Sequence, residues 1–131
     1  MKRELGPIRA ARGTKARREG RRAEWIVALL LMAKGWRILG MRLRTPQGEV
    51  DLAAERGGVL AIVEVKRRRS IEEALRAVSP AQQARLRRAG AALMMQGGRN
   101  KPAVVRLDLV ALAPGRWPRH IADAWNKSRM D

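Results

Sequence analysis

Gly57-Gly58 stands between two stretches rich in alternating and β-branched residues, 49–56 and 59–67. A Gly-Gly pair in that setting signals a two-residue hairpin turn, because glycine enters the left-handed backbone region without steric cost. Such a turn leaves no freedom in the pairing: residues that face one another have numbers summing to 115. Asp51 then lies opposite Glu64, and Glu49 opposite Lys66. With a strand period of two, these four side chains share one face, while Val50, Leu52 and Ala54 meet Val65, Val63 and Ala61 on a core face. Asp51 and Glu64 are expected as a non-hydrogen-bonded pair, with Cα atoms about 4.5 Å apart.

Two carboxylates directly opposed on a sheet repel unless a cation or a shared proton relieves them. The chain has no cysteine and one histidine, His120, so a metal site here must be built from carboxylates. That donor set suits a hard ion, Mg²⁺ or Mn²⁺. Lys66 sits two residues beyond Glu64 on the same face, where its ammonium can meet a phosphate or an attacking water. Two carboxylates and a lysine around such a metal fit phosphodiester hydrolysis. A solvated charged face, with Lys66 paired to Glu49, accounts for the same residues, and the charges alone do not choose.

The charge balance narrows the partners. Lys and Arg number 29 against 12 Asp and Glu, a net charge of +17. With 46% hydrophobic residues the chain is not a disordered basic tract, and a folded domain this basic meets a polyanion. Nucleic acid is the first candidate and an anionic membrane surface the second. Four Trp, with neither Phe nor Tyr, are too few for a platform that stacks several bases.

Residues 1–18 read as a disordered basic tail, residues 19–125 as one domain, and residues 126–131 as a loose end. A helix is expected from 19 to 34 with its core stripe on Trp25, Leu29 and Met32, widened by Ile26, Leu30 and Ala33. A strand over 36–44, bulged at Gly40, and a turn at 45–48 precede the hairpin. Ser70 with Glu73 forms a capping-box pattern for a short helix to Val78, and Ser79-Pro80 opens a longer one to Gln96, stopped by Gly97-Gly98. A strand follows over 103–113, with a fifth over 121–125. In the 103–113 strand Asp108 alternates with Leu107 and Leu109, which points to a structural pairing with an arginine; His120 likewise reads as structural. The order defines an α/β layer with a mixed sheet. The longest apolar run, Trp25 to Ala33, has nine residues, whereas a spanning helix needs about 20, so the expectation is a cytoplasmic, soluble protein with no membrane partner.

Asp51, followed after twelve residues by Glu64-Val65-Lys66, resembles the PD-(D/E)xK signature of restriction-endonuclease-like nucleases. Further blocks extend the likeness: Ala23-Glu24, Gly48-Glu49-Val50-Asp51, Val78-Ser79-Pro80 with Gln83, and Arg106 to Val110. In this order they resemble the YraN family, which is similar to archaeal Holliday-junction resolvases, and the resemblance covers about residues 13–125. It implies an α-β-β-β-α-β core and a metal-dependent endonuclease acting on DNA, including branched DNA, with RNA left open. It implies Asp51 and Glu64 as metal ligands, with the Val65 carbonyl and Glu24 as further ones. Lys66 would orient or activate water, and Gln83 would reach in from the later helix. Arg67, Arg68 and Arg69, continuing from Lys66, and Arg85, Arg87 and Arg88 on the later helix would hold phosphates. By analogy with resolvases, which act as dimers on two-fold junctions, it implies a homodimer. Gln82-Gln83 departs from the family's usual Lys-Gln and removes one positive charge, Leu107 replaces the usual Phe, and no proline precedes Asp51. The rival expectation is a nucleic-acid-binding protein that keeps the fold without the chemistry. A basic adaptor for RNA or a membrane surface would leave the opposed carboxylates unexplained.

Overall fold

The computed structural model describes residues 21–96, 102 and 104–126. The elements run α1 (21–33), β1 (Arg37–Thr45), β2 (Gly48–Arg56), β3 (Val59–Arg67), α2 (Ile71–Arg76), α3 (Pro80–Met95), β4 (Val104–Leu112) and β5 (Arg119–Ile121). The expected tails and the Gly97-Gly98 stop lie outside the described residues, apart from Asn126. The five strands form one sheet in the order β1-β2-β3-β4-β5. All neighbours are antiparallel except β3 and β4, which are parallel and therefore joined by a crossover that carries α2 and α3.

Gly57 and Gly58 both take positive φ, 56° and 80°, and the hairpin register is the one that a two-residue turn dictates, from Arg56↔Val59 to Leu52↔Val63. There the ladder ends. Asp51 is not the regular cross-strand neighbour of Glu64; its Oδ2 accepts a hydrogen bond from the Val65 N–H at 3.0 Å, taking the place of a backbone carbonyl. On β1 the register slips by one between Ile38 and Gly40, a bulge beside the glycine where one was expected. Arg42, between the paired positions Met41↔Leu52 and Leu43↔Val50, has φ 52°. A left-handed arginine facing Asp51 breaks the pleat there.

Both faces of the sheet are covered by helices. Leu52, Ala54, Ala61 and Val63 pack with Val27, Ala28 and Leu31 of α1 and with Trp36. Ala53, Leu60, Ile62, Leu107 and Leu109 pack with Leu86 and Ala89 of α3 and with Val78 and Trp125. Val50 joins this second layer rather than the face of Leu52 and Ala54, as the irregularity at Arg42 and Asp51 requires. Helices on both faces explain why β3 reads as a nearly unbroken apolar run. Gly90 lets α3 lie close: a Cβ there would stand 2.6 Å from Val105 Cγ1 and 2.9 Å from Ile62 Cγ1.

The stripe that α1 buries is not the expected one. Trp25, Leu29, Met32 and Ile26 are exposed, at 58%, 59%, 45% and 47%, while Ala23, Val27, Ala28 and Leu31 are buried. The helix is apolar on nearly every side, and the sheet takes its narrower side, where small residues allow close approach.

The caps largely follow the sequence. Ser79 and Gln82 form a reciprocal capping box with Pro80 at the first turn. Ser70 caps α2 by accepting from the Glu73 N–H, but the Glu73 carboxylate turns back to the Arg69 N–H rather than to Ser70. The last strand is Arg119–Ile121, not 121–125. Residues 122–125 turn instead, because Asp123 (φ 51°) and Ala124 give their N–H groups to Asp108 Oδ1 and the Leu107 carbonyl. That turn buries Trp125, whose Nε1 donates to the Leu75 carbonyl at 3.0 Å.

Candidate functional site

Where β2 and β3 part, a cavity of about 360 Å³ opens, lined by Glu24, Asp51, Glu64, Val65, Lys66 and Arg67 with Ala23 and Leu112. Three elements build it. The hairpin supplies Asp51 from one strand and Glu64 to Arg67 from the other, and α1 lowers Glu24 onto the rim. Asp51 is held by the Val65 N–H, which fixes one carboxylate oxygen. Glu64 is buried, and its Oε2 lies 3.8 Å from Lys66 Nζ. Lys66 therefore pairs with Glu64 and not with Glu49.

The electrostatics are those of a crowded anionic pocket. Burial pushes the Glu64 carboxyl up to about 7, and the neighbouring Asp51 adds to the rise, while Lys66 and Arg85 pull against it. Burial also raises the Glu24 carboxyl, against the hydrogen bond and charge of Arg42, whose Nε donates to Glu24 Oε1 at 2.7 Å. The strained backbone of Arg42 thus belongs to the rim of this cavity. No sequence pattern marked Arg42, because its partner lies on a helix 18 residues away.

Of the residues that the resemblance implied, Asp51, Glu64, Val65, Lys66, Arg67 and Glu24 come together, and others do not. Gln83 does not reach in: its Nε2 donates to the Val78 carbonyl at 3.1 Å, and it lines a separate cavity with Arg87, Asp123 and Trp125. Arg85 Nη1 donates to the carbonyls of Gln47 and Glu49, at 3.2 and 3.1 Å, so it clamps the β1–β2 turn and acts on Glu64 through its charge. Arg88 donates to Gln47 Oε1 from an exposed position. Arg68 is exposed and bonds the Arg67 carbonyl, and Arg69 pairs loosely with Glu73 at 3.6 Å.

A second charged cluster lies away from the cavity. Asp108, fully buried, accepts a two-pronged bond from Arg106, both distances 2.8 Å, and bonds His120 Nε2 at 2.8 Å and the Asp123 N–H at 3.0 Å. Burial would push its carboxyl up, but these hydrogen bonds outweigh it and hold the group down at about 2. His120 Nδ1 faces Lys34 Nζ at 2.9 Å, and Arg106 lies over the Trp36 ring. Among the described residues no buried side-chain polar atom lacks a partner, and the cluster is a structural clasp between β4 and β5, as the alternation around Asp108 indicated.

Among the described residues no three His, Cys, Asp or Glu side chains converge closely enough to hold a metal ion by themselves. Asp51 and Glu64 are hard oxygen donors of the kind Mg²⁺ takes, an ion commonly held by one or two carboxylates with water and phosphate completing its shell.

The molecule is thus defined as a mixed α/β protein, a five-stranded sheet flanked by helices, with an acid–lysine cavity where its central hairpin opens. The family model described as "Uncharacterised protein family UPF0102" matches residues 23–112. A UPF0102 protein of Caulobacter vibrioides is 61% identical over 118 residues, covering 90% of this chain and 94% of its own. One of Parvibaculum lavamentivorans is 48% identical over 115 residues, covering 88% and 86%, and one of Sinorhizobium medicae is 46% identical over 111 residues, covering 85% and 91%. The chain belongs to UPF0102, the YraN family that its sequence blocks resemble. Among the described residues no helix is long and apolar enough to cross a membrane.

Proposed function

We propose that this protein is a Mg²⁺- or Mn²⁺-dependent endonuclease of restriction-endonuclease-like fold that hydrolyses DNA phosphodiesters at branched or junction DNA. One observation carries the reading: Asp51, Glu64 and Lys66 line a single cavity in a chain of net charge +17. A buried glutamate beside an aspartate is costly in a protein with no use for it, and burial and Asp51 both raise the Glu64 carboxyl.

Asp51 and Glu64 would hold the metal, with the Val65 carbonyl and Glu24 as further oxygen donors. A bound Mg²⁺ would supply Lewis-acid charge to a phosphoryl oxygen. The Val65 N–H keeps Asp51 aimed into the cavity. Lys66, held near Glu64, places a positive charge where an attacking water and the phosphate meet. Arg67 lines the same cavity and can hold a flanking phosphate.

The second reading, a nucleic-acid-binding protein that keeps the fold without the chemistry, rests on Glu24 being tied to Arg42 and on the want of a third converging acid among the described residues. Labelled linear, flapped and four-way DNAs incubated with Mg²⁺ or Mn²⁺, wild type beside Lys66→Ala, separate the two. The nuclease reading expects cleavage by wild type and at least a hundredfold slower cleavage by Lys66→Ala, with DNA still bound. Binding by both proteins with cleavage by neither decides for the second reading.

A further inference from the structure

Trp117 is 89% exposed, the most exposed of the large apolar side chains in the described part of the molecule. It stands on the segment between β4 and β5, between Arg116 and Pro118, with Pro114 and Gly115 (φ 70°) before it. Proline and a turn glycine hold such a segment in shape, so presenting the indole there costs little further chain entropy. Trp117 forms one wall of a cavity of about 580 Å³, whose other sides include Arg69, Arg116 and Arg119 and whose floor is Ile71 and Ala111. The acidic Glu72 also lines it.

This cavity lies at the same end of the sheet as the acid–lysine cavity. Both chain segments that frame it leave the carboxyl ends of the parallel strands β3 and β4, tied together by the Arg68 N–H to the Leu112 carbonyl at 3.0 Å. Arg67 and Leu112 line the acid–lysine cavity and also a shallow depression next to it, and that depression shares Ala113 and Arg116 with the Trp117 cavity. The acid–lysine cavity and the Trp117 cavity share no lining residue themselves and are related through that depression. The crevice beyond the carboxyl ends of parallel strands is where open α/β sheets bind ligands.

We propose that the Trp117 cavity holds one unpaired nucleotide of the DNA, its base stacked on the indole and its flanking phosphates on Arg116 and Arg119. The proposal rests on the nuclease reading for the position of the scissile phosphate, and deepens it by naming the substrate class: DNA with an unpaired base beside the cut. The chemistry is selective. A planar indole offers a face that every base can stack on, whereas a continuous duplex keeps its base faces covered. Arginines supply the phosphate contacts that either form would make. One exposed indole serves one base, in keeping with a chain that has only four aromatic residues.

The test uses the full chain and fluorescence anisotropy in EDTA, so that nothing is cut. The probes are a single-stranded oligonucleotide, the same strand with abasic sites, and a blunt duplex, all at one ionic strength. Stacking on one base corresponds to about a tenfold gain in affinity, within the range for base–aromatic contacts. Trp117→Ala should lower the ratio of single-strand to duplex affinity about tenfold, and Trp117→Phe should restore most of it. On the abasic strand wild type and Trp117→Ala should bind alike, an equality that a merely destabilised loop would not produce. An unchanged ratio in Trp117→Ala overturns the proposal, as does a loss that persists on the abasic strand or one that accompanies a shift to a lower oligomeric state. Cleavage is measured separately. A wild type that cuts nothing but shows the Trp117-dependent ratio sinks the nuclease reading and upholds the nucleotide site. Normal cutting with an unchanged ratio does the reverse.

Discussion

Asp51 stands beside a buried Glu64 whose carboxyl is raised to about 7, so that above this pH the two hold like charges. Asp51→Asn removes one charge and keeps an oxygen to accept from the Val65 N–H. It should raise the melting temperature of the metal-free protein by about 2–5 °C, the shift expected for about 1 kcal/mol in a domain of this size. Mg²⁺ in tenfold excess over its Kd should stabilise wild type by about 1.4 kcal/mol and the variant by much less. Melting curves with and without Mg²⁺, at constant ionic strength, check both statements; a variant that is no more stable and a wild type indifferent to Mg²⁺ would discard the metal site. Asp108 behaves in the opposite sense. Its folded pKa, about 2, lies below the ordinary 3.8, so its stabilisation is present above pH 3.8 and is lost as the pH falls through 2. Wild type should lose about 2 kcal/mol over that interval from this group, whereas Asp108→Asn should start less stable and lose less, as acid titration followed by circular dichroism would show. At this scale the sequence was informative where partners are joined by one tight turn. Counting from Gly57-Gly58 brought Asp51, Glu64 and Lys66 to one place, although the ladder ends at Leu52↔Val63, short of the expected Asp51–Glu64 pair. Arg42 with Glu24 could not, nor could His120 with Asp108, because those contacts depend on how separate elements pack.

Helix α1 shows the limit of periodicity at the scale of elements. Both Trp25–Leu29–Met32 and Val27–Leu31 recur at helical spacing, and bulk favoured the first. The sheet buries the second, where Ala23 and Ala28 let the backbone approach. Leu31→Ala should therefore cost about 2–5 kcal/mol, while Leu29→Ala, on the exposed side, should stay within about 0.5 kcal/mol. Urea unfolding of the two variants checks this, and equal losses would mean that both sides are covered. The strands were easier to read. Their glycine turns, the bulge beside Gly40 and the Ser79-Pro80 start of α3 are local chemistry, and all stand within two residues of the expected positions. The short β5 was misplaced because its neighbour, the turn at Asp123, is set by a carboxylate 15 residues earlier in the chain.

For the whole molecule, charge is the dominant property. At +17 the protein should bind nucleic acid chiefly through phosphate neutralisation. If Arg67, Arg68 and their neighbours neutralise about five phosphates, log K for duplex DNA should fall against log salt with a slope of about −4 to −5. A titration between low and moderate salt measures it, and a flat response would remove the polyanion reading. The helix-covered mixed sheet accords with the element order, since the parallel pair β3–β4 needs the long crossover that α2 and α3 provide.

The strand order has a further consequence for a chain that is still folding. β1, β2 and β3 are consecutive and antiparallel, joined by two-residue turns, so their pairing closes short loops and can form in about 1–10 μs. β4 cannot pair until the crossover through α2 and α3 is in place. Until then β3 (Val59–Arg67), with its apolar run from Val59 to Val63, offers an open edge to any other extended chain. Lys66 and Arg67 close that strand, and Arg68 and Arg69 follow at once. Four positive charges at the end of an apolar edge repel a second copy of themselves, the placement by which sequences guard segments prone to aggregate. The cations at the mouth of the cavity would thus protect the nascent sheet before any phosphate reaches it.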